Sequence, residues 1–348
     1  MGAYINYSRI VSLTGAKMGI PMEQYTYDEF DLNVVEEICA NPRLEVFQIS
    51  DYMPESVFPL VNEFFKRRPD VTFRVFGFYG EECCDISFLE KLPDVQRLSL
   101  DCIRNVAPIE VIKNLKLKYL RLDVHIMEDF SIINDLDEGL EEFSVFKSLD
   151  GKDNLDIRWL MRFKNLKKLY LGKFKKHIEA VGQMPNLRCL TLRGVSCKSF
   201  DFLENLQMDE LKIHWCSAKG IETLAGLKNV KALELWRINK LEDLSFLRGM
   251  TALEVLKLQD LAQITSFPDM SESHLKEVTL DNLKSLKDIS GLGKSPALKK
   301  AELIGLQKLE AEDYRCILAI PDIEAEYLGV GSNKKHTAVE AIEKEYRK

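Results

Sequence analysis

The sequence predicts an α/β repeat protein, a curved solenoid in which each turn contributes one short strand to a parallel, concave sheet. Three observations predict this fold. An apolar phrase with the pattern Leu-x-x-Leu-x-Leu occurs ten times between residues 95 and 303. The middle positions of successive phrases are 21 to 26 residues apart. Repetition at this period is typical of solenoids, in which each turn buries its apolar face against its neighbours.

The ten phrases predict ten strands whose apolar residues point inward, because side chains alternate between the two faces of a strand. They begin at residues 95, 117, 140, 166, 187, 208, 230, 253, 275 and 298. Two longer units precede them, with strands at 44–49 and 71–78 and an amphipathic helix at 55–67. Together these units predict about 11 or 12 turns.

Residues 1–43 are predicted to form an N-terminal cap, and the solenoid is predicted to span residues 44–328. The cap contains a helix from Asp31 to Ala40, which ends before Pro42 because proline cannot continue a helix. At the other end, a last helix at 313–320 and a closing strand at 323–328 are predicted, with Glu326 in an inward slot.

Residues 329–348 are predicted to form a C-terminal loop and a capping helix. Thr337 and Glu340 have the spacing of a capping box, which places the start of this helix at Thr337. Ile342 and Tyr346 would then cover the end of the core. Solenoids need such polar caps at both ends to stay soluble.

The convex side is predicted to consist of short 3-10 and helical segments. Leucines recur at every third residue in the later units, as in Leu241, Leu244 and Leu247, and three residues per turn is the spacing of a 3-10 helix. Asp85, Asp243 and Asp288 precede these segments in phrases of the type Asp-Leu/Ile-Ser. A short acidic side chain in this position is expected to accept hydrogen bonds from the backbone of the turn.

These phrases resemble the short-repeat leucine-rich repeat families, the internalins and the SDS22-like proteins. The best matches are residues 241–247, Leu-Glu-Asp-Leu-Ser-Phe-Leu, and residues 286–292, Leu-Lys-Asp-Ile-Ser-Gly-Leu. The resemblance covers about residues 80–310 and implies a leucine-rich repeat solenoid.

The sequence departs from these families at the slot three residues after the last strand leucine, where they place Asn in a hydrogen-bonded ladder. Here that slot holds Ile103, His125, Ser148, Phe174, Val195, Cys216, Ile238, Leu261, Leu283 and Leu306. The turns must therefore satisfy their backbone groups themselves or with water. The surface adhesion known for internalins is not carried over to this chain.

Composition narrows the classes of partner. The net charge is −7 and the pI about 5.5, so bulk attraction to nucleic acid or to an anionic membrane is not expected, whereas a partner with a basic surface is favoured. No secretory signal and no apolar run long enough to span a bilayer is recognised, which indicates a cytoplasmic protein.

No cofactor or metal site is predicted. His214 and Cys216 form a single close His/Cys pair without the second pair that a zinc site needs. Cys83 is expected to point inward and pack. Three other thiols, Cys84, Cys102 and Cys189, are candidates for an exposed, reactive cysteine.

The predicted concave face carries the candidate site. Outward-pointing aromatic and basic residues cluster on its central strands: Tyr119, Arg121, Phe146, Tyr170, Arg193, Lys212, His214 and Trp236, with Trp215 beside His214 at the strand edge. Tyr, Trp and Arg predominate in protein-binding hot spots. Acidic and basic residues alternate on this face, whereas a nucleic-acid-binding surface has a continuous basic stripe.

The leading hypothesis is a non-enzymatic protein–protein interaction module, and a bacterial immunity or inhibitor protein is one form of it. A thiol-dependent enzyme or redox-responsive protein, and a secreted adhesin whose signal peptide is missing, remain alternatives.

Overall fold

The computed structural model of the protein describes residues 8–19, 22–78, 82–102, 104–147, 154–328 and 332–346. Its strands, in chain order, are β1 Ile10–Thr14, β2 Glu23–Thr26, β3 Val46–Ile49, β4 Thr72–Gly77, β5 Cys83–Asp85, β6 Arg97–Cys102, β7 Asn105–Ala107, β8 Tyr119–Leu122, β9 Glu142–Phe146, β10 Lys168–Gly172, β11 Cys189–Arg193, β12 Glu210–His214, β13 Ala232–Trp236, β14 Val255–Gln259, β15 Glu277–Asp281, β16 Lys300–Ile304 and β17 Glu324–Glu326. Its α-helices are α1 Leu32–Cys39, α2 Phe58–Arg67, α3 Arg315–Leu318 and α4 Asn333–Tyr346.

Fifteen of these strands form one parallel sheet, which confirms the predicted leucine-rich repeat solenoid. The strand order is β2, β1, β3, β4, β6, β8 and then β9 to β17 in succession. Strands β5 and β7 pair separately. Each of the twelve units predicted between residues 44 and 303 contributes one strand to the large sheet, so the period in the sequence is the period of the fold.

The sheet also extends into the segment that was predicted as the N-terminal cap. Strand β1 pairs in parallel with both β2 and β3, so it lies between them. Val11 and Leu13 of β1 are fully buried. These two strands were not predicted, because residues 10–26 lack the repeated phrase and their order in the sheet differs from their order in the chain. The domain boundaries at 44 and 328 stay predictions.

The chain divides into two compact units, residues 1–170 with 174–178 and residues 171–173 with 179–348. In the first unit, the predicted helices α1 and α2 are confirmed, and an aromatic cluster packs between them and the sheet. Phe47 lies at its centre, with ring centroids 5.1 Å from Phe64, 5.7 Å from Phe65 and 6.3 Å from Phe73. Asp31 caps α1 by accepting a hydrogen bond from the Val34 backbone N–H at 2.9 Å.

In the second unit, successive strands are in exact one-to-one register along an apolar ladder. Leu190, Leu211, Leu233, Leu256, Val278 and Ala301 are direct partners on β11 to β16. None of these side chains is more than 2% exposed. The inward orientation that the alternation predicted is therefore confirmed.

The predicted 3-10 segments and their acidic caps are also confirmed. The 3-10 helices of the described chain are Glu55–Val57, Ser87–Lys91, Ile109–Asn114, Ser131–Asp135, Ile157–Arg162, Ile178–Gln183, Asp201–Leu203, Ile221–Gly226, Ser245–Gly249, Leu292–Lys294 and Ala311–Tyr314. The carboxylates of Asp85, Asp243 and Asp288 each accept a hydrogen bond, at 2.8–2.9 Å, from the backbone N–H two residues later. Hydrogen bonds from Ser245 and Ser290 lower the pKa of Asp243 and of Asp288, respectively.

Backbone hydrogen bonds replace the missing Asn ladder. In the second unit, the residue two positions after the last strand leucine has a left-handed conformation, with φ between 53° and 67°, and its N–H donates to the carbonyl that ends the next strand. The residues are Lys173, Gly194, Trp215, Arg237, Asp260 and Asn282, and the N–O distances are 2.7–3.0 Å. The turns thus satisfy their own backbone groups, and the slot one residue later is free to bury apolar side chains such as Val195 and Leu261. Of the slot residues predicted from the sequence, Ile103 and Ser148 lie outside the described residues.

Two details of the C-terminal end differ from the prediction. The capping box at Thr337 is wrong, because α4 begins four residues earlier and Ser332 accepts the hydrogen bond from the Lys335 N–H at 3.2 Å. Ala325 faces the core in β17, so Glu326 points outward and the inward slot predicted for it is wrong.

Helix α4 covers the end of the core with Ile342, as predicted, but with Val339 in place of Tyr346. Val339 and Ile342 are buried, whereas Tyr346 is 41% exposed. Residues 329–331 and 347–348 of the predicted C-terminal cap, like residues 1–7 and 20–21 of the N-terminal one, lie outside the described ranges.

Truncating the ladder tests the packing directly. Leu211→Ala should lower the free energy of unfolding by roughly 2–5 kcal/mol, because the deleted methyl groups leave a cavity in a close-packed row. Denaturant unfolding followed by circular dichroism measures the change. The control is Lys212→Ala, the outward neighbour, which should cost less than about 1 kcal/mol through loss of its surface pair with Glu210. Equal losses in the two variants would contradict the inward ladder.

Candidate functional site

The predicted site residues of the second unit lie on adjacent strands because the register aligns their outward positions. Arg193, His214 and Trp236 are direct partners at the ends of β11, β12 and β13. Lys212 belongs to the neighbouring outward row, where it lies beside Glu234. The parallel register therefore brings these four predicted residues together on one patch of the sheet.

His214 is more enclosed than the sequence indicated, since only 12% of its side chain is exposed. Its ring lies 5.4 Å from the Trp236 ring at an interplanar angle of 75°. Its Nε2 is 3.1 Å from Oε1 of Glu234. The two atoms are not aligned for a hydrogen bond, so the pair is a close polar contact. This contact with His214 lowers the pKa of Glu234, against the opposing effect of burial.

Asp260 holds the patch in place, although the sequence did not single it out. Its Oδ2 accepts hydrogen bonds from the Trp236 indole N–H at 2.9 Å and from Arg237 Nε at 3.0 Å. Its Oδ1 accepts one from the Asn282 amide at 2.6 Å. The pKa of Asp260 is lowered, chiefly by the bond from Trp236 and then by those from Asn282 and Arg237, while burial opposes the shift.

Trp215 is the most exposed member of the patch, with 44% of its surface accessible. The guanidinium carbon of Arg193, from the preceding repeat, lies 4.9 Å from its ring centroid, and that of Arg237, from the following repeat, lies 5.1 Å away. The Trp236 ring meets it edge-on at 5.5 Å. We call Arg193, Trp215, Trp236, Arg237 and Asp260 the tryptophan rim.

Arg237 and Asp260 were missed because they lie outside the predicted strands. Both occupy the left-handed position that follows each strand. Gly194 and Gly305 hold the same position in other repeats, and glycine is the residue that favours a positive φ. Gly194 and Gly305, which occupy this position after two of the ten apolar phrases, were therefore the signal in the sequence that could have located this row.

The other four predicted residues lie in the first unit and are mostly occupied by local partners. The Arg97 guanidinium lies 4.7 Å above the ring of Tyr119 and binds Glu142 at 3.3 Å. Arg121 binds Asp123 at 2.8 Å. Burial raises the pKa of Tyr119. Phe146 and Tyr170 are half-buried at outward positions of β9 and β10.

The cysteines of β5 differ from the prediction. Cys84, the middle residue of this strand, is 2% exposed and Cys83 is exposed, so the inward orientation predicted for Cys83 is wrong. Cys102 is also buried, which leaves Cys189 as the partly exposed thiol of the three candidates. A hydrogen bond with Cys102 and burial raise the pKa of Cys84, and burial raises the pKa of Cys216 to about 12. A raised pKa disfavours the thiolate that nucleophilic chemistry needs.

Among the described residues, no group of three or more His, Cys, Asp or Glu side chains is placed to bind a metal ion. No helix within the same ranges is long and apolar enough to cross a membrane.

No protein-family model matches the sequence, and no curated protein matches it. Solved structures do match the chain. An internalin from Listeria monocytogenes is 16% identical, over 90% of this chain and 78% of that one, with a TM-score of 0.47. A leucine-rich repeat protein from Leptospira interrogans is 15% identical, over 84% and 92%, with a TM-score of 0.47. A second internalin from L. monocytogenes is 21% identical, over 57% and 83%, with a TM-score of 0.41.

Removing the charge of Asp260 should destabilise the protein in a pH-dependent way. The pKa of Asp260 is lower in the folded state than in the unfolded state, where it is about 3.9. The ionised carboxylate therefore stabilises the fold fully above the unfolded pKa, and this stabilisation is lost as the pH falls through the folded pKa. Asp260→Asn should cost roughly 1–2 kcal/mol at pH 7, and its difference from wild type should shrink below about pH 4. Urea unfolding across this pH range measures it. Asp209→Asn, which breaks an exposed pair with Lys231, is the control and should change stability by less than about 1 kcal/mol.

Glycine at position 215 should be tolerated better than alanine. Trp215→Gly relieves a left-handed backbone that costs a bulky residue about 1–2 kcal/mol, which offsets two cation–π contacts of about 0.5–1 kcal/mol each. We expect its unfolding free energy to stay within about 1 kcal/mol of wild type. Trp215→Ala retains the strain and should be about 1 kcal/mol less stable than the glycine variant. Thermal and urea unfolding compare the two, and an alanine variant as stable as the glycine one would contradict the left-handed assignment.

Proposed function

We propose that this chain is a non-enzymatic protein–protein interaction module that binds a partner protein through the outward face of its sheet, with the tryptophan rim as the principal contact of the second unit. The observation that carries this proposal is the contact of exposed Trp215 with Trp236 and two arginines. Trp and Arg are the residues most enriched in binding hot spots, and they contribute most where neighbouring contacts exclude water.

The rigidity of the patch supports the same proposal. The backbone of Trp215 is held by its hydrogen bond to Trp236, and Asp260 fixes the indole of Trp236 and the guanidinium of Arg237. Side chains that are already ordered lose little conformational entropy when a partner binds. A preorganised aromatic and cationic patch can therefore convert contact area into affinity efficiently.

A cytoplasmic immunity or inhibitor protein is one specific form of this proposal. The net charge of −7 would favour encounter with a basic partner, such as a nuclease toxin, through long-range attraction. The outward side chains of the last strands support it: Glu277, Asp281, Glu302, Glu324 and Glu326. Burial and the charge of Asp260 raise the pKa of Asp281, as expected for a carboxylate among like charges.

The thiol-dependent alternative now depends on Cys189, which is partly exposed at the start of β11, and on Cys83, which is exposed in β5. Thiol labelling of the folded protein at neutral pH tests it. A single cysteine that reacts far faster than a free thiol would favour this alternative over the binding module. The adhesin alternative is tested by locating the native protein in cell fractions.

Partner capture with matched tryptophan variants tests the proposed surface. Wild-type protein should retain a stoichiometric partner from native cytosol, and Trp215→Ala and Trp236→Ala should each weaken binding by on the order of 2 kcal/mol, about 30-fold. Trp159→Ala is the control, because Trp159 lies in the 3-10 segment Ile157–Arg162, away from the strand face. Titration calorimetry with the purified partner measures each affinity. Equal affinity of all three variants for the partner would refute the assignment of this face.

A further inference from the structure

Two arginine side chains contact Trp215, one from the preceding repeat and one from the following repeat. Arg193 and Arg237 both lie about 5 Å from its ring. The carboxylate of the rim, Asp260, already accepts three hydrogen bonds.

Arg237 and Trp215 are both exposed and carry hydrogen-bond donors that the described residues do not use. A guanidinium has five N–H donors, and Arg237 uses its Nε for Asp260, so four N–H groups meet no acceptor among the described residues. The indole N–H of Trp215 likewise has no acceptor within that part of the chain, in contrast to the indole of Trp236. A surface of donors and cations is complementary to a group that has acceptors and a negative charge.

The left-handed backbone conformation disfavours a tryptophan and an arginine at these positions. Trp215 and Arg237 have φ values of 58° and 53°, whereas Gly194 and Gly305 hold the same backbone conformation in other repeats. Bulky residues in this conformation are uncommon and concentrate at sites of recognition.

We propose that the tryptophan rim binds an acidic segment of the partner protein, whose carboxylates pair with Arg237 while its aliphatic stems pack on the Trp215 ring. This inference rests on the proposed protein-binding function and adds the chemistry of the contact. Planar carboxylates match the fork of a guanidinium, which makes paired hydrogen bonds to them. The net charge of −7 governs long-range approach, whereas these donors govern the local contact, so a partner that is basic overall can still dock an acidic segment here.

The three tryptophans of the chain provide separate probes, because Trp215, Trp236 and Trp159 each give one indole N–H resonance. The experiment titrates the full-length protein, labelled with ¹⁵N at tryptophan, with a hepta-glutamate peptide and, separately, with a hepta-lysine peptide. Trp→Phe variants assign the three signals. With hepta-glutamate, the Trp215 signal should shift to saturation, Trp236 should shift less and Trp159 should stay in place. Hepta-lysine should leave Trp215 unchanged.

Two variants make the test specific. Arg237→Gln should raise the dissociation constant of hepta-glutamate by about tenfold or more, because it removes the charge-assisted donors. Lys228→Gln is the matched control, since Lys228 contacts backbone carbonyls of Ala225 and Gly249 on the opposite side of the repeat, and it should bind like wild type. A Trp215 shift with hepta-lysine, equal shifts of all three indoles, or no shift with hepta-glutamate would overturn the proposal.

The failure of this inference can be distinguished from the failure of the proposed function. If a purified partner binds the protein through Trp215 but hepta-glutamate does not compete with it, the acidic-segment assignment is wrong and the protein-binding function stands. If hepta-glutamate shifts Trp215 but no protein partner is captured, the anionic preference of the rim stands and the protein-binding function falls.

Discussion

Six successive repeats of the second unit depend on one kind of backbone hydrogen bond, which the left-handed residue after a strand donates to the carbonyl at the end of the next strand. The bond satisfies a polar group that would otherwise be left unpaired where the chain turns away from the sheet. It also determines the conformation of the residue that donates it, and so the direction of that residue's side chain. The apolar slot one position later is a second consequence, because no side-chain amide is needed there. Packing of the core and presentation of the rim thus follow from the same backbone geometry.

The period of the apolar phrase was sufficient to predict the strands of the repeat region, because a solenoid repeats its physical environment with its sequence. Strands β1 and β2 escaped prediction because they have no copy elsewhere in the chain and pair out of chain order. The start of α4 was misplaced because both Ser332 and Thr337 have side chains that can cap a helix. The backbone conformation of the preceding turn determines which of them does so, and in the structure it is Ser332.

The candidate site was predictable to the extent that strand alternation applies. Arg193, Lys212, His214 and Trp236 were correctly assigned to outward positions, since a period of two determines the face. The outward orientation of Arg237 and Asp260 could not be predicted in this way, because a left-handed turn residue follows neither the strand period nor the helix period. The enclosure of His214 also required the structure, since it results from Trp236 and Glu234 on the neighbouring strand. What sequence patterns cannot supply here is lateral contact between side chains of different repeats.

The left-handed row has one residue per repeat, and so its spacing is that of the strands, about 4.8 Å. An extended peptide advances by about 3.3 Å per residue. Two repeats therefore cover about 9.6 Å and three peptide residues about 9.9 Å, so a strand-like ligand lying across the repeats would come back into phase with every second position of the row. Trp215 and Asp260 stand two repeats apart, with Arg237 between them. A ligand that follows this row would contact it with every third residue. This period differs from the two-residue period of a strand and from the 3.6-residue period of an α-helix.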